Sequence, residues 1–334
     1  MSVKSFRNAI NEALHQEMER DPTVILIGED IVGGLGGSAN NPGSSGGMMG
    51  LTTGIYQKFG EKRIIDTPIS ESAIMGAAAG SALTGLRPVA EMMFIDFFGV
   101  CFDQIYNQAA KFRYMFGGHA RTPMVIRAMT GAGFGAAAQH SQALWPIMTH
   151  IPGLKVVLPS GPYDAKGLLI QAIRDDDPVI FLEHKLLYDV EEEVPDEPYT
   201  IPFGEANLTR EGDDVTIVAF GRMVRLANEV ADKLRDEISI DVVDPRTTSP
   251  LDTEVILESV AHTGRLVVVD EANPLCSTAS EVISTVAVNE LGALKAPPKK
   301  ITAPHCPVPA SPVLEALYLP TVEHIESAVR EVIA

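Results

Sequence analysis

Short apolar, β-branched runs recur along this chain, each followed by a stretch with helical spacing, and that alternation narrows the possible folds more than any other feature. The runs are TVILIGED, RPVAEMMFI, PMVIRAM, LKVVLP and PVIFLE, then DVTIVAF, SIDVVDP and GRLVVVDEA. They are continuously apolar rather than alternating, as strands are when helices cover both faces of a parallel sheet. A helix from about Ser5 to Arg20 precedes the first, and helices from Val224, Asp252 and Ser277 separate the last ones. The pattern predicts an α/β chain with two consecutive doubly wound, mostly parallel sheets. One domain is expected over 1–189 and the other over 204–334. The acid- and proline-rich segment VEEEVPDEPYTIPFG interrupts the alternation, so 190–203 reads as a linker. In such sheets ligands gather beyond the carboxyl ends of strands, and functional residues are sought in those loops.

The 334 residues, 46% of them apolar, suffice for two sizeable cores. A formal charge of −18 argues against nucleic acid or an anionic membrane as partner. The start, MSVKSFRNAI, lacks the apolar core of a secretory signal, and no segment is long enough to span a bilayer. Cys101, Cys276 and Cys306 show neither metal-ligand spacing nor a pairing pattern. They read as free thiols in a reducing cytoplasm, buried as small apolar residues. The stretch IVGGLGGSANNPGSSGGMMG, Ile31 to Gly50, is too long for an ordinary connection. It is either a disordered insertion or a lid ordered by a ligand or partner.

Three constellations could carry chemistry. In DTPISESAIMGAAAGSALTGLRPVAEMMFIDF, Glu71 opens an uncharged helical run in which Ser72, Gly76, Gly80 and Thr84 share one face. Such a face lets another backbone approach closely. The carboxylate either serves the helix dipole or, in small apolar surroundings, exchanges a proton with a ligand nitrogen. Glu29, ending the first strand, is a second acid of this kind, with a capping role as the alternative. In TGAGFGAAAQHSQ, Gly131, Gly133 and Ala136 fit a dinucleotide-binding pattern, but no acid follows between Ala137 and Tyr163 to hold a ribose. His140 in the same loop either exchanges protons or is merely hydrogen-bonded. Finally, Asp175, Asp176 and Asp177 end a helix, where acids face the negative end of the dipole. Either solvent or a bound cation must offset them.

The segments DTPISESAIMGAAAGSALTGLRPVAEMMFIDF, FDQIYNQAAKFRYMFGG, AAAQHSQ and GLKVVLPSGPYDAKGLL resemble the β subunits of thiamine-diphosphate-dependent 2-oxo acid and acetoin dehydrogenase complexes. The resemblance runs from the first helix to the last, and the acetoin branch is matched best. It implies a pyrimidine-binding domain followed by a transketolase C-terminal-like domain. It assigns to Glu71 the hydrogen bond to N1′ of the cofactor's aminopyrimidine and to Phe97 a contact with that ring; Glu29, at its site-facing strand end, is the further cofactor-binding candidate. His140 matches the histidine associated with reaction intermediates and acyl transfer. Asp175 and Asp177, with the carbonyls of Met124, Ala172 and Ile173, match a potassium-type site of some relatives. Val100 stands where some pyruvate-acting relatives carry Gln, which suits an uncharged substrate such as acetoin; pyruvate or another 2-oxo acid is the alternative. The family's GDG…NN motif for Mg²⁺ and diphosphate has no counterpart here. The resemblance therefore implies an α subunit that supplies it, in an α2β2 assembly, and a lipoyl-bearing dihydrolipoyl acetyltransferase core docked on the C-terminal domain.

Overall fold

The first helix starts where Ser5 caps it, its hydroxyl accepting from the Asn8 N–H at 3.2 Å. The computed structural model describes residues 1–33 and 46–334, which fall into two compact units. One unit comprises 1–129, 148–183 and 187–202, and the other 130–147, 184–186 and 203–334. Most of the glycine-rich stretch, 34–45, lies outside the described residues. Its described flanks are joined by the Thr52 hydroxyl, which donates to the Ile31 carbonyl at 2.6 Å.

In chain order the first unit begins with β1 (Ser2–Ser5), α1 (Phe6–Arg20), β2 (Val24–Glu29), α2 (Ile55–Phe59) and β3 (Ile64–Thr67). It continues with α3 (Glu71–Leu83), β4 (Arg87–Phe94), α4 (Phe98–Asp103), α5 (Phe112–Met115) and β5 (Val125–Thr130). After α6 (Trp145–Thr149) come β6 (Lys155–Val157), α7 (Pro162–Arg174), β7 (Val179–His184) and β8 (Glu191–Val194). Its main strands run in the order β6-β7-β5-β4-β2-β3, with the β2–β3, β2–β4, β4–β5 and β6–β7 pairs parallel. Helix α3 buries Ile74, Met75, Ala78, Ala79 and Ala82. Its other face, with Ser72, Ala77, Gly80 and Thr84, is exposed, and a Cβ at Gly80 would meet nothing within 4 Å. The small-residue stripe is thus open in this chain, apart from Gly76, which Gln104 approaches.

The 190–203 segment is more than a linker. Its Glu191–Val194 pairs antiparallel with Ser2–Ser5 as β8, and Ile201 is buried, its N–H donating to the Gly167 carbonyl at 3.3 Å. Glu191, Glu192 and Glu193 are consecutive and only Val194 is buried, so a strand there looks like solvated charge in sequence.

The second unit contains β9 (Asn207–Arg210), β10 (Val215–Ala219), α8 (Arg222–Leu234), β11 (Ile240–Asp244) and the short β12 (Thr247–Ser249). Then follow α9 (Thr253–Thr263), β13 (Leu266–Asp270), α10 (Thr278–Asn289), β14 (Lys299–Thr302), α11 (Pro312–Tyr318) and α12 (Val322–Ile333). The sheet order is β14-β13-β10-β11-β9, parallel except for the β9 edge. Helices α8 and α12 bury Ala227, Val230, Ile325 and Val329 against one face, while α9 and α10 bury Ile256, Val260, Val282 and Val286 against the other. This is the doubly wound arrangement the continuous apolar strands predict.

At the centre of the first sheet, Arg127 on β5 makes a bidentate pair with Glu183 on β7 at 2.7 and 3.0 Å. Its other nitrogen reaches Glu91 on β4 at 3.2 Å, and the Tyr188 hydroxyl donates to Glu183 at 2.9 Å. Arg127 and Glu183 are almost wholly buried. Arg127→Met removes the compensating charge and strands both carboxylates, so denaturant unfolding of the chain at pH 7 should show a loss of about 3–5 kcal/mol.

Candidate active site

The first unit brings Glu29, Glu71 and Phe97 into one region. Glu71 is the first residue of α3 and is half-buried, its carboxylate at the end of the helix where backbone N–H groups lack partners. One residue on, the Ser72 hydroxyl donates to the Val100 carbonyl at 2.6 Å, tying the start of α3 to the first turn of α4. Phe97 immediately precedes α4, half-buried and edge-on to Phe94 at 5.7 Å. Cys101, on the same turn, is buried, and burial together with the nearby Glu71 carboxylate pushes its thiol up to about 12. Cys276 and Cys306 are exposed, so the burial expected of all three cysteines holds for Cys101 alone. Glu29 ends β2, and burial first, then Asp30 and Glu71, raises its carboxyl above the ordinary glutamate range. A half-buried carboxyl pair with an aromatic side chain fits a flat, nitrogen-containing ring. Val100 is exposed beside them.

The acids ending α7 are offset by cations of the chain itself. Lys155 Nζ lies 2.7 Å from both oxygens of Asp175, and Arg113 pairs with Asp177. Arg87 and Arg121 each reach Asp176 at 2.7 Å. Arg87 also donates to the carbonyls of Ile173 and Asp175, at 3.1 and 2.8 Å. The Met124 carbonyl accepts from the Val179 N–H, and that of Ala172 from the Asp175 N–H. As placed, this potassium-type constellation does not fit a bound cation, because ammonium and guanidinium groups stand where a metal would. Among the described residues, no group of three or more His, Cys, Asp or Glu could hold a metal ion.

The second unit carries His140, half-buried in the loop after β5. The loop opens with Gly131, Gly133 and Gly135 at φ of +88°, +96° and +72°, a left-handed backbone that glycine adopts without strain. Their turn directs N–H groups inward as an anion-binding concavity. Two buried carboxylates of the chain fill it. Ala132 N–H donates to Glu271 at 2.7 Å, and the Gly133 and Gly135 N–H groups donate to the two oxygens of Glu315 at 2.7 and 2.9 Å. Glu271 also accepts from His184 Nε2 at 2.8 Å, while Nδ1 of that ring accepts the Leu186 N–H at 3.2 Å, placing the ring hydrogen on Nε2. Burial opposes ionisation of Glu271, but His184 and the Ala132 N–H outweigh it and hold its carboxyl below the ordinary range. The neighbouring Asp270 accepts from the Ala272 and Ala279 N–H groups at 3.0 and 3.1 Å, and burial pushes it up to about 6. The Lys185 ammonium donates to the His140 carbonyl.

The glycine pattern is therefore satisfied from within, and its amides are not open to a dinucleotide phosphate. Glu271, Glu315 and His184 escaped sequence reasoning because Glu315 lies 182 residues from the amide it receives. One signal for Glu271 existed: an acid at the carboxyl end of GRLVVVDEA, where ligand-facing groups of a parallel sheet gather.

Residues 2–191 match the model of the transketolase pyrimidine-binding domain, and residues 204–325 that of the transketolase C-terminal domain. A split-gene transketolase, solved as an inactive β4 tetramer, shares this fold with a TM-score of 0.77 at 24% identity, covering 98% of each chain. The chain belongs to the thiamine-diphosphate-dependent, transketolase-like family of dehydrogenase β subunits. It is 61% identical to the acetoin:2,6-dichlorophenolindophenol oxidoreductase subunit β of Cupriavidus necator, over 98% of this chain and 96% of that one. With the subunit of the same description from Bacillus subtilis it shares 53%, over 99% and 97%.

The pairing at Asp175 to Asp177 has a thermal consequence. At equal ionic strength, melting temperatures in potassium chloride and tetramethylammonium chloride should agree, whereas an occupied potassium site would raise the first.

Proposed function

We propose that this chain is the β subunit of an acetoin-cleaving dehydrogenase and acts with an α subunit in an α2β2 assembly. The observation that carries the reading is the gathering of Glu71, Glu29 and Phe97 in a chain so close to the acetoin oxidoreductase subunits. When bound, thiamine diphosphate supplies the carbon nucleophile and electron sink for breaking the carbon–carbon bond of acetoin. Glu71 holds a proton between its carboxyl and N1′ of the aminopyrimidine, with Glu29 as the second acid beside it. Phe97 offers an aromatic face that orients the ring. His140 moves a proton at the substrate oxygen during release of acetaldehyde and transfer of the two-carbon unit to lipoamide. The α subunit holds Mg²⁺ and the diphosphate, since the GDG…NN motif has no counterpart in this sequence. The second unit docks the lipoyl-bearing acetyltransferase core.

Glu71→Gln keeps the shape of the side chain and removes its ionisable proton. In the reconstituted αβ enzyme it should lower turnover by about 10²–10⁴-fold with assembly retained on size-exclusion chromatography. The substrate assignment is tested on the same preparation with a dye acceptor. The parent enzyme should show a higher kcat/KM for acetoin than for pyruvate and release acetaldehyde. Preference for pyruvate with release of carbon dioxide would move the chain to the 2-oxo acid branch.

A further inference from the structure

We propose that Glu315 and Glu271 are positioning residues for His140, acting as built-in anions that fix the glycine turn from which its loop departs. The inference rests on the reading of His140 as a proton-moving residue. A turn with left-handed glycines at 131, 133 and 135 is floppy in isolation, because glycine has the most conformational freedom to lose. Its amides nevertheless converge, and convergent N–H groups are ordered by whatever anion they hold. Both anions here come from elements remote in sequence: Glu271 directly after β13, and Glu315 on α11. Both carboxylates are buried, so their hydrogen bonds are charge-assisted; the one from Ala132 is buried as well, and those from Gly133 and Gly135 are partly so. His184 keeps Glu271 ionised, and Ala132 packs in a small core with Tyr318 and Leu319 at the end of α11. Farther along the loop, Lys185 grips the carbonyl of His140 itself. The histidine backbone is therefore held at both approaches by groups the loop does not contain.

A Gln at position 315 has one acceptor oxygen and turns an NH₂ group toward the second of the two N–H groups, so one of the paired donors loses its acceptor. Asp keeps the charge but is one methylene shorter, so it restores part of the contact. The test uses the full chain assembled with its α subunit, in four variants: Glu315→Gln, Glu315→Asp, His140→Ala and the Glu315→Gln/His140→Ala pair. Glu315→Gln should lower kcat for acetoin about tenfold or more, with KM little changed, and Glu315→Asp should lose less. In the His140→Ala background the same change should cost nothing further, since a positioning residue acts only through the group it positions. Amide hydrogen exchange over residues 131–140 should speed up about tenfold in Glu315→Gln, while strands β10 and β13 keep their protection. Should the Gln variant fail to fold, Glu315→Asp carries the exchange measurement. Equal losses in both backgrounds, or unchanged exchange over 131–140, would overturn the proposal. If His140→Ala alone leaves turnover intact, the role given to His140 falls, and the exchange result then decides the anchoring by itself.

Discussion

The first unit depends on one guanidinium held among carboxylates. Removing Arg127 and Glu183 from water is costly, and the cost is offset only when the geometry is close to ideal. Here the parallel register supplies that geometry: Glu91 and Arg127 are direct partners across β4 and β5, and Glu183 lies on β7 next to β5. A slip of one residue on β5 would turn Arg127 to the opposite face of the sheet and leave the carboxylates unpaired. The ion pair thus fixes which strands adjoin and at what level. Glu29 follows from β2, paired to β4, and Phe97 follows three residues after β4 ends. The placement of Glu29 and Phe97 is inherited from a charge cluster at the centre of the sheet.

The second unit handles buried acids differently. No arginine meets Glu315 or Asp270 in the hydrogen bonds described above; backbone amides do. Amides make weaker partners than a guanidinium, but they come from the chain that must be shaped. Satisfying the acid and ordering the loop become the same event, which suits a segment whose composition gives it little order of its own.

Much of this was legible in the sequence, for reasons that differ by element. Continuous apolar runs announced the parallel strands because burial on both faces leaves no room for alternation. The helix that Glu71 opens was legible because its run of small uncharged residues is bracketed by Glu71 and Arg87. The β1–β8 ribbon was not, since an exposed strand of acids carries the same letters as a solvated linker. The cations over Asp175 to Asp177 were also hidden, for Arg87, Arg113 and Lys155 arrive from β4, α5 and β6. The glycine turn was visible as a concavity, and only the fold could show that the chain fills it.

Asp270 and Glu271 are consecutive residues with opposite protonation preferences. Asp270 binds its proton up to about 6 in the folded chain, against about 4 when unfolded. Between those values the folded state holds the extra proton, so this residue's contribution to stability declines as pH rises through the window. Glu271 is held below its ordinary range, and its contribution is lost instead as pH falls through its folded value. The two slopes have opposite signs in adjoining windows. Side by side at the end of one strand, they make this corner of the unit most stable between the two windows, with a loss on either side where a single residue would tilt it one way only.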